Sequence, residues 1–366
     1  MDDFKYLAIV EWAKQTISQR GLTAGDRFFS ETELCGIHNV SRQTVRQALA
    51  LMENQGIIRR RQGSGTFVHV SAGGKREQAL TVGLISTYFS DYIFPSIITG
   101  IERVLKKNNV NLQLSTTRNQ VAEEARALRA MLAQGVDGFI VEPSKSALPN
   151  PNVALYDEIR ARGMPLVFFN AKYPNSPFPC VAMDDAAAGR IATQHLLDCG
   201  HRKISAIFVL DDVQGHLRYK GFMESLTAAG AENPEERVMW FSTQDNRAGL
   251  FTVFRKRLLE LLKDSSGIVC YNDSLAVRLL EFCREEGISV PGGISVVGID
   301  DSNRAGICEV PLTTVKHPKQ RLGEQAAELL LRMMENPNAD AKDVMFAPEL
   351  VQRVSVMNVQ AVSELS

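Results

Sequence analysis

From Leu80 onward, short β-rich runs alternate with amphipathic helical runs, and nothing else in the chain restricts its fold as tightly. "LTVGLIS" reads as a strand, and "IITGIERVLKKNN" as a helix with Ile98, Ile101, Val104 and Leu105 on one face. "VNLQLST" follows as a strand, "AEEARALRAMLAQG" as a helix ending at Gly135, and "VDGFIVEP" as a strand. This βαβαβ order demands a parallel sheet with helices on both faces, because a helix between two strands returns the chain in the same direction. The rhythm restarts after "CVAMDDAAAGRIATQHLLDCG". "HRKISAIFV", "RYKGFMESLTAAG", "RVMWFS", "NRAGLFTVFRKRLLELLK", "SGIVCY", "DSLAVRLLEFCREEG" and "ISVVGID" again alternate strand and helix. Residues 80–366 are therefore expected to form an α/β region of two lobes, each a doubly wound parallel sheet. The cleft between them is the expected ligand site, since such sheets bind at the carboxyl ends of their strands.

At 366 residues the chain is too long for one ordinary core, so a multidomain organisation is expected. Hydrophobic residues at 45% and charged residues at 23% exclude an intrinsically disordered class. No apolar run approaches the ~20 residues of a membrane span. The start, "MDDFKYLAIVEWAKQ", carries acidic residues and no apolar signal core, so a cytoplasmic location without a membrane partner is expected. Cys35, Cys180, Cys199, Cys270, Cys283 and Cys308 are scattered without a CxxC pair or a Cys/His ligand spacing. Reduced buried thiols are expected, with no metal and no cofactor.

The first seventy residues follow a different rule. Met1 to Val70 holds nine Lys or Arg against seven Asp or Glu, an excess of only +2. Placement matters more: Arg42, Arg46, Arg59, Arg60 and Arg61 face the single anion Glu53 across that stretch. Helical spacing over Glu11 to Gln19 is followed by "SETELCGIHN", where Ser30 and Glu33 form a capping-box pair. After a turn at His38-Asn39-Val40, Ser41 caps a third helix with Val45, Leu49 and Met52 on its apolar face. "GIIRRRQGSGTFV" then reads as a β-hairpin turning at Gln62-Gly63-Ser64-Gly65. Alone, an arginine triplet is a solvated turn. Behind a helix, a short turn and a polar helix it is the wing of an α+β winged helix-turn-helix, whose second helix lies in the DNA major groove. "SAGGKREQA", 71–79, breaks every periodicity and reads as a linker, placing the domains at 1–70 and 80–366.

Ser30-Glu31, "VSRQTVRQAL" and "GIIRRRQGSGTFV" resemble the winged helix-turn-helix of GntR-type regulators over residues 4–70. The resemblance implies contacts with operator DNA from Ser30, Glu31, Ser41, Arg42, Gln43, Thr44 and Arg46, and from Arg61, Gln62, Gly63, Ser64, Gly65 and Thr66 in the wing. "FFSET" departs from the family pattern Leu-Pro-Ser-Glu-Arg: Phe29 stands for the proline and Thr32 for an arginine often used on phosphate. "AMDDAAAGRIATQHLLDCGHRKI", "RYKGFMESL", "YNDSLA", "ISVVGIDDS" and "PLTTVKHP" resemble the LacI-type effector domain, which is built like a periplasmic binding protein. That resemblance implies a small-molecule pocket at Glu142, Asn170, Asp184, Arg218, Asn272, Asp273, Asp300 and His317, with the loop carrying Tyr88, Phe89, Asp91 and Tyr92.

Independently of the resemblance, Asp184, Asn272 and Asp300 fall at or just past strand ends, and Arg218 can donate two parallel hydrogen bonds to a polyol. Flat rings at Tyr88, Phe89, Tyr92 and Phe94 suit the C–H faces of a sugar. No GxSxG elbow, HExxH pair or glycine fingerprint supports an enzyme. A glycosidase would use the cleft carboxylates differently, and a transport-type binding protein would have no DNA reader. The pairing of these two modules resembles the arabinose-responsive repressor group. It implies a homodimeric repressor of sugar-utilisation genes released from operator DNA by a monosaccharide, L-arabinose first, with another pentose, a hexose or a nucleoside as alternatives.

Overall fold

The computed structural model describes residues 5–54, 56–61, 65–69, 79–90, 92–336 and 341–359; for Ser18, Asn54 and Arg61 it describes the backbone. The chain divides into two compact units, Met1–Ala79 and Leu80–Ser366. Of the expected linker, only Ala79 lies among the described residues.

The first unit contains α1 (Lys5–Gln19), α2 (Glu31–His38), α3 (Arg42–Asn54) and an antiparallel hairpin of β1 (Ile58–Arg61) and β2 (Gly65–Val68). Ile9, Ala13 and Ile17 of α1, Leu34 of α2, Val45, Leu49 and Met52 of α3, and Ile58 and Val68 of the hairpin form one buried cluster. α2 starts with the expected capping box: Glu33 N donates to Ser30 Oγ at 3.3 Å, and Ser30 N donates to Glu33 Oε2 at 2.7 Å. Asn39 takes the left-handed φ of 50° that turns the chain into α3, a conformation asparagine tolerates better than most residues. Ser41 Oγ then accepts from Thr44 N at 3.2 Å and starts α3.

The second unit runs β3 (Thr81–Ser86), α4 (Phe94–Lys107), β4 (Asn111–Thr116), α5 (Val121–Gln134), β5 (Gly138–Val141), α6 (Val153–Ala161), β6 (Leu166–Phe169), β7 (Cys180–Met183) and α7 (Asp185–Asp198). It continues through β8 (Ile204–Val209), α8 (Val213–Ala228), β9 (Val238–Phe241), α9 (Thr243–Val253), α10 (Arg255–Lys263), β10 (Gly267–Cys270) and α11 (Asp273–Glu285). β11 (Ser295–Asp300), β12 (Thr313–Lys316), α12 (Lys319–Glu335), β13 (Val344–Phe346) and β14 (Glu349–Val351) complete it. The first sheet has the order β13-β7-β6-β5-β3-β4 and the second β14-β12-β11-β10-β8-β9. Every pair is parallel except β12 with β14. β5, β6, β7, β8, β10 and β11 are buried along their length, as strands covered on both faces must be.

The lobes are not sequential halves. α7 follows β7 but packs on β10, β11 and β12 of the second sheet, while α12 follows β12 but packs on α4 and on β5, β6 and β7 of the first. β13 then pairs with β7 and β14 with β12, so the chain crosses between lobes at Asp184, at His317-Pro318 and at Ala347-Pro348. Each crossing helix is locked to its lobe through glycines. A Cβ on Gly221 of α8 would lie 1.9 Å from Ala186 O of α7, and one on Gly323 of α12 would lie 2.1 Å from Ile97 O of α4.

The helical pattern over 246–263, expected as one helix, is divided into α9 and α10. Gly249 takes φ 94°, which ends regular helix within α9, and Ser242 with Asp245 caps a start earlier than expected. α8 begins at Val213, five residues before the expected Arg218. α6, β6 and α12 are elements that the alternation does not predict.

Candidate functional sites: a basic winged helix and an interlobe cavity

Arg42, Gln43 and Arg46 project from α3 into solvent, while Thr44 is buried and its Oγ1 sits 2.9 Å from Ser41 Oγ. Thr66 is also buried, because alternation along β2 turns it inward. Ser30 Oγ is engaged in the cap of α2. Glu31 pairs with Arg46 at 3.1 Å and with Arg60 at 3.6 Å, so it holds two cations on one surface. Arg59 is exposed and has no ion pair among the described residues. Gly65 is exposed at φ 112°, a conformation that favours glycine. Gln62, Gly63 and Ser64 lie outside the described residues, as does the Arg61 side chain. Arg42, Gln43, Arg46, Arg59 and Gly65 are thus open to solvent, and Arg and Gln are residue types able to bond phosphates and base edges.

In the second unit a cavity of about 320 Å³ opens between the two sheets, at the low end of the usual range for small-molecule sites, ~300–1,000 Å³. Its wall is made where parallel strands end: Thr87 and Tyr88 after β3, Glu142 after β5, Asn170 after β6, Asp212 after β8, Thr243 after β9, Asn272 after β10 and Asp300 in β11. Four wall residues, Tyr92, Asn119, Asn170 and Asp300, hold left-handed φ values of 61°, 53°, 62° and 113°. Such backbone persists only where the surroundings enforce it, and it clusters at binding sites.

Arg218 is the centre of the polar wall. Its Nε donates to Asp185 Oδ1 at 2.8 Å, one terminal nitrogen donates to Asp300 Oδ1 at 3.3 Å and the other to Tyr271 O, while the guanidinium lies 4.8 Å from the Tyr271 ring centroid. Three of its five N–H groups are thus committed, which leaves one on each terminal nitrogen for a ligand hydroxyl. Burial works against its charge, but the carboxylates of Asp185 and Asp300 more than offset that and raise its pKa. Opposite, Glu142 Oε2 accepts from Thr87 N at 2.8 Å and Ser86 Oγ at 3.3 Å, and Oε1 accepts from Asn170 Nδ2 at 2.7 Å. Burial pushes the Glu142 carboxyl above its ordinary value, against the pull of these donors. With its amide nitrogen fixed on Glu142, Asn170 presents Oδ1, which has no hydrogen-bond partner among the described residues, as a ready acceptor.

The lobes are bridged on both sides of the cavity. Tyr92 of the first lobe donates to Asp300 Oδ2 and accepts from Asp273 N at 3.2 Å. Asn119 Nδ2, also of the first lobe, donates to Asp212 Oδ1 at 3.2 Å and Thr243 Oγ1 at 2.8 Å. Ser146 Oγ accepts from Val213 N at 3.0 Å on that side. This is a closed cleft.

Of the residues expected at the pocket, Tyr88, Tyr92, Glu142, Asn170, Arg218, Asn272 and Asp300 line the cavity. Phe89 does not: its ring is half exposed. Asp184 Oδ1 caps α7 through Ala187 N at 2.9 Å, and Asp273 is turned into the lobe, accepting from Ser302 N at 2.6 Å and Thr314 Oγ1 at 2.6 Å. His317 lines a separate groove beside the interlobe crossings at His317-Pro318 and Ala347-Pro348. Asp91 lies outside the described residues. Asn119, Asp212, Phe241, Thr243, Asn246, Tyr271 and Arg278 join the wall without having been expected, although most of them lie within three residues of a strand end that the sequence does predict.

Residues 5–68 match the bacterial regulatory proteins of the gntR family, and residues 193–356 match the periplasmic binding protein-like domain. The arabinose metabolism transcriptional repressor of Geobacillus stearothermophilus is 37% identical over 357 residues, spanning 97% of this chain and 98% of its own. The repressor of the same name from Halalkalibacterium halodurans is 39% identical over 365 residues, 96% of each chain. The chain belongs to the arabinose metabolism transcriptional repressors. A LacI family regulator from Enterococcus faecium, solved with bound ribose, resembles the repressor with a TM-score of 0.64 and 25% identity over 76% of this chain and 99% of that one. A regulator solved with cellobiose gives 0.66 and 26% over 86% and 91%. The repressor thus joins a GntR-type DNA-binding module to a sugar-sensor fold, in a family of regulators rather than enzymes. Among its described residues no helix is long and apolar enough to cross a membrane.

Proposed function

We propose that the repressor acts in the cytoplasm as a homodimer, holds a two-fold operator through α3 and the wing of each protomer, and leaves it when L-arabinose occupies the interlobe cavity. The observation that carries the reading is the cavity wall. Arg218 offers two free N–H donors, Asn170 a free acceptor, and Tyr88, Phe94, Phe241 and Tyr271 flat apolar faces, which together match the alternating hydroxyls and C–H surfaces of a neutral monosaccharide. Three carboxyl groups, Glu142, Asp212 and Asp300, share that wall with Arg218 and Arg278 and add acceptors for the remaining hydroxyls.

Sugar binding stabilises the arrangement in which both lobes contact it, and operator affinity changes by the difference in sugar affinity between the two arrangements. Titrating a fluorescent operator complex with L-arabinose, D-ribose, D-xylose, D-glucose and a nucleoside tests this. L-arabinose should release the DNA at the lowest concentration, and Asp300→Ala should bind operator normally but no longer respond. Release by the nucleoside alone would overturn the assignment.

A further inference from the structure

His317 stands apart from that pocket. It lies in one of the interlobe crossings, 1% exposed, and neither ring nitrogen has a hydrogen-bond partner among the described residues. His317 is among the residues lining an open groove of about 420 Å³, which the crossing at Ala347-Pro348 also lines through Ala347. Burial above all, and then the charges of Arg218 and Lys319, depress its pKa to about 3, so the ring is neutral and keeps one N–H to donate.

The start of α12 forms another side of the same groove. Pro318 is its N-cap, no side chain caps it, and its first turn holds no acidic residue. Lys319 N donates to His317 O and Leu322 N to Pro318 O, which leaves the backbone N–H groups of Gln320 and Arg321 without an acceptor among the described residues. Lys316, Lys319 and Arg321 line the groove against one carboxylate, Glu349. Arg321 lies over the Phe346 ring, 5.4 Å from its centroid. Free N–H groups at the positive end of a seventeen-residue helix, three cations and an unsatisfied buried imidazole share one need, a compact anion with several acceptor oxygens.

We propose that this groove is a second ligand site, for a phosphate group, free or carried by a small metabolite, and that its occupation alters lobe closure. The route is short. Lys319 Nζ donates to the carbonyl oxygens of Asp300, at 3.2 Å, and of Asp301, so an anion that draws Lys319 away loosens the strand end that supplies Asp300 to the cavity. The two sites differ in balance: the cavity sets three carboxyl groups against two arginines, and the groove three cations against one carboxylate.

Only the coupling rests on the reading of the cavity as a sugar site; binding in the groove is measured without sugar. Thermal melting of the full chain is compared in sodium phosphate and in sodium chloride of equal ionic strength, and in glucose 6-phosphate against glucose. A rise of several degrees specific to either phosphate compound is expected, and which of the two produces it tells free phosphate from a carried one. The exposed pair Lys316→Ala/Arg321→Ala should abolish the rise while melting normally in chloride. The bound phosphate should also shift the L-arabinose midpoint for operator release, and by reciprocity the sugar should shift phosphate affinity by the same factor. An equal rise in chloride, a double variant that keeps the rise, or a sugar midpoint indifferent to phosphate would each overturn the proposal. Absence of any sugar response with an intact phosphate response would instead refute the assignment of the cavity.

Discussion

Asp185 and Asp273 lie beneath the cavity wall, and both bind protons more tightly than free carboxyls do. Burial raises Asp185 from 3.8 to about 6 against the pull of Arg218, and burial with the neighbouring Asp300 raises Asp273 to about 7. Between 3.8 and these values the folded state keeps protons that the unfolded chain has released, so stability is highest on the acid side and falls as pH rises through 6 to 7. The repressor should therefore melt at a higher temperature at pH 6 than at pH 8, and Asp273→Asn should shrink that difference; an unchanged difference would show that Asp273 is not a source of it. Residue types at the site were only partly legible in the sequence. Asn272 and Asp300 were found because motif and strand end coincide there, and Arg218 because it opens the motif "RYKGFMESL". Asp184 and Asp273 carry the same signals, but their oxygens serve a helix start and the interior of the lobe. Asn119 lies three residues past the end of β4, but its left-handed turn toward the other lobe is set by backbone conformation rather than by periodicity.

At the scale of elements, helix contacts depend on residues too small to register as hydrophobic. Gly221 and Gly189 let α7 and α8 meet backbone to backbone, and Gly100 and Gly323 do the same for α4 and α12. Gly221→Ala drives a methyl group into Ala186 O and should destabilise the effector domain by ~1–3 kcal/mol through forced separation of the helices. Gly36→Ala in α2, where an added methyl meets nothing within 4 Å, should instead stabilise by ~0.5–1 kcal/mol. Chemical denaturation of the two variants checks the opposite signs. Strands and helices of strong period were legible from the sequence, including the capped α2 and the apolar face of α3. The break at Gly249 was not, because an isolated glycine reads equally well as a tolerated helical residue.

At the scale of the molecule, the sequence predicted two lobes but not that the chain weaves between them, since the crossings are one or two residues long and carry no pattern of their own. Closure is held at both sides of the cavity, by Tyr92 on one and Asn119 on the other. Asn119→Ala removes two hydrogen bonds between the lobes, each worth ~0.5–1.5 kcal/mol, and should raise the sugar concentration for half release roughly tenfold. An unchanged midpoint in the operator-release titration would mean that these bonds persist in both arrangements of the lobes. The weaving also has a consequence of timing. A growing chain completes its DNA-binding unit within the first 79 residues, whereas the first lobe waits for α12 and β13 and the second for β14. Neither lobe can close its sheet until nearly the whole polypeptide has left the ribosome, so the reader of DNA exists before the sensor that governs it.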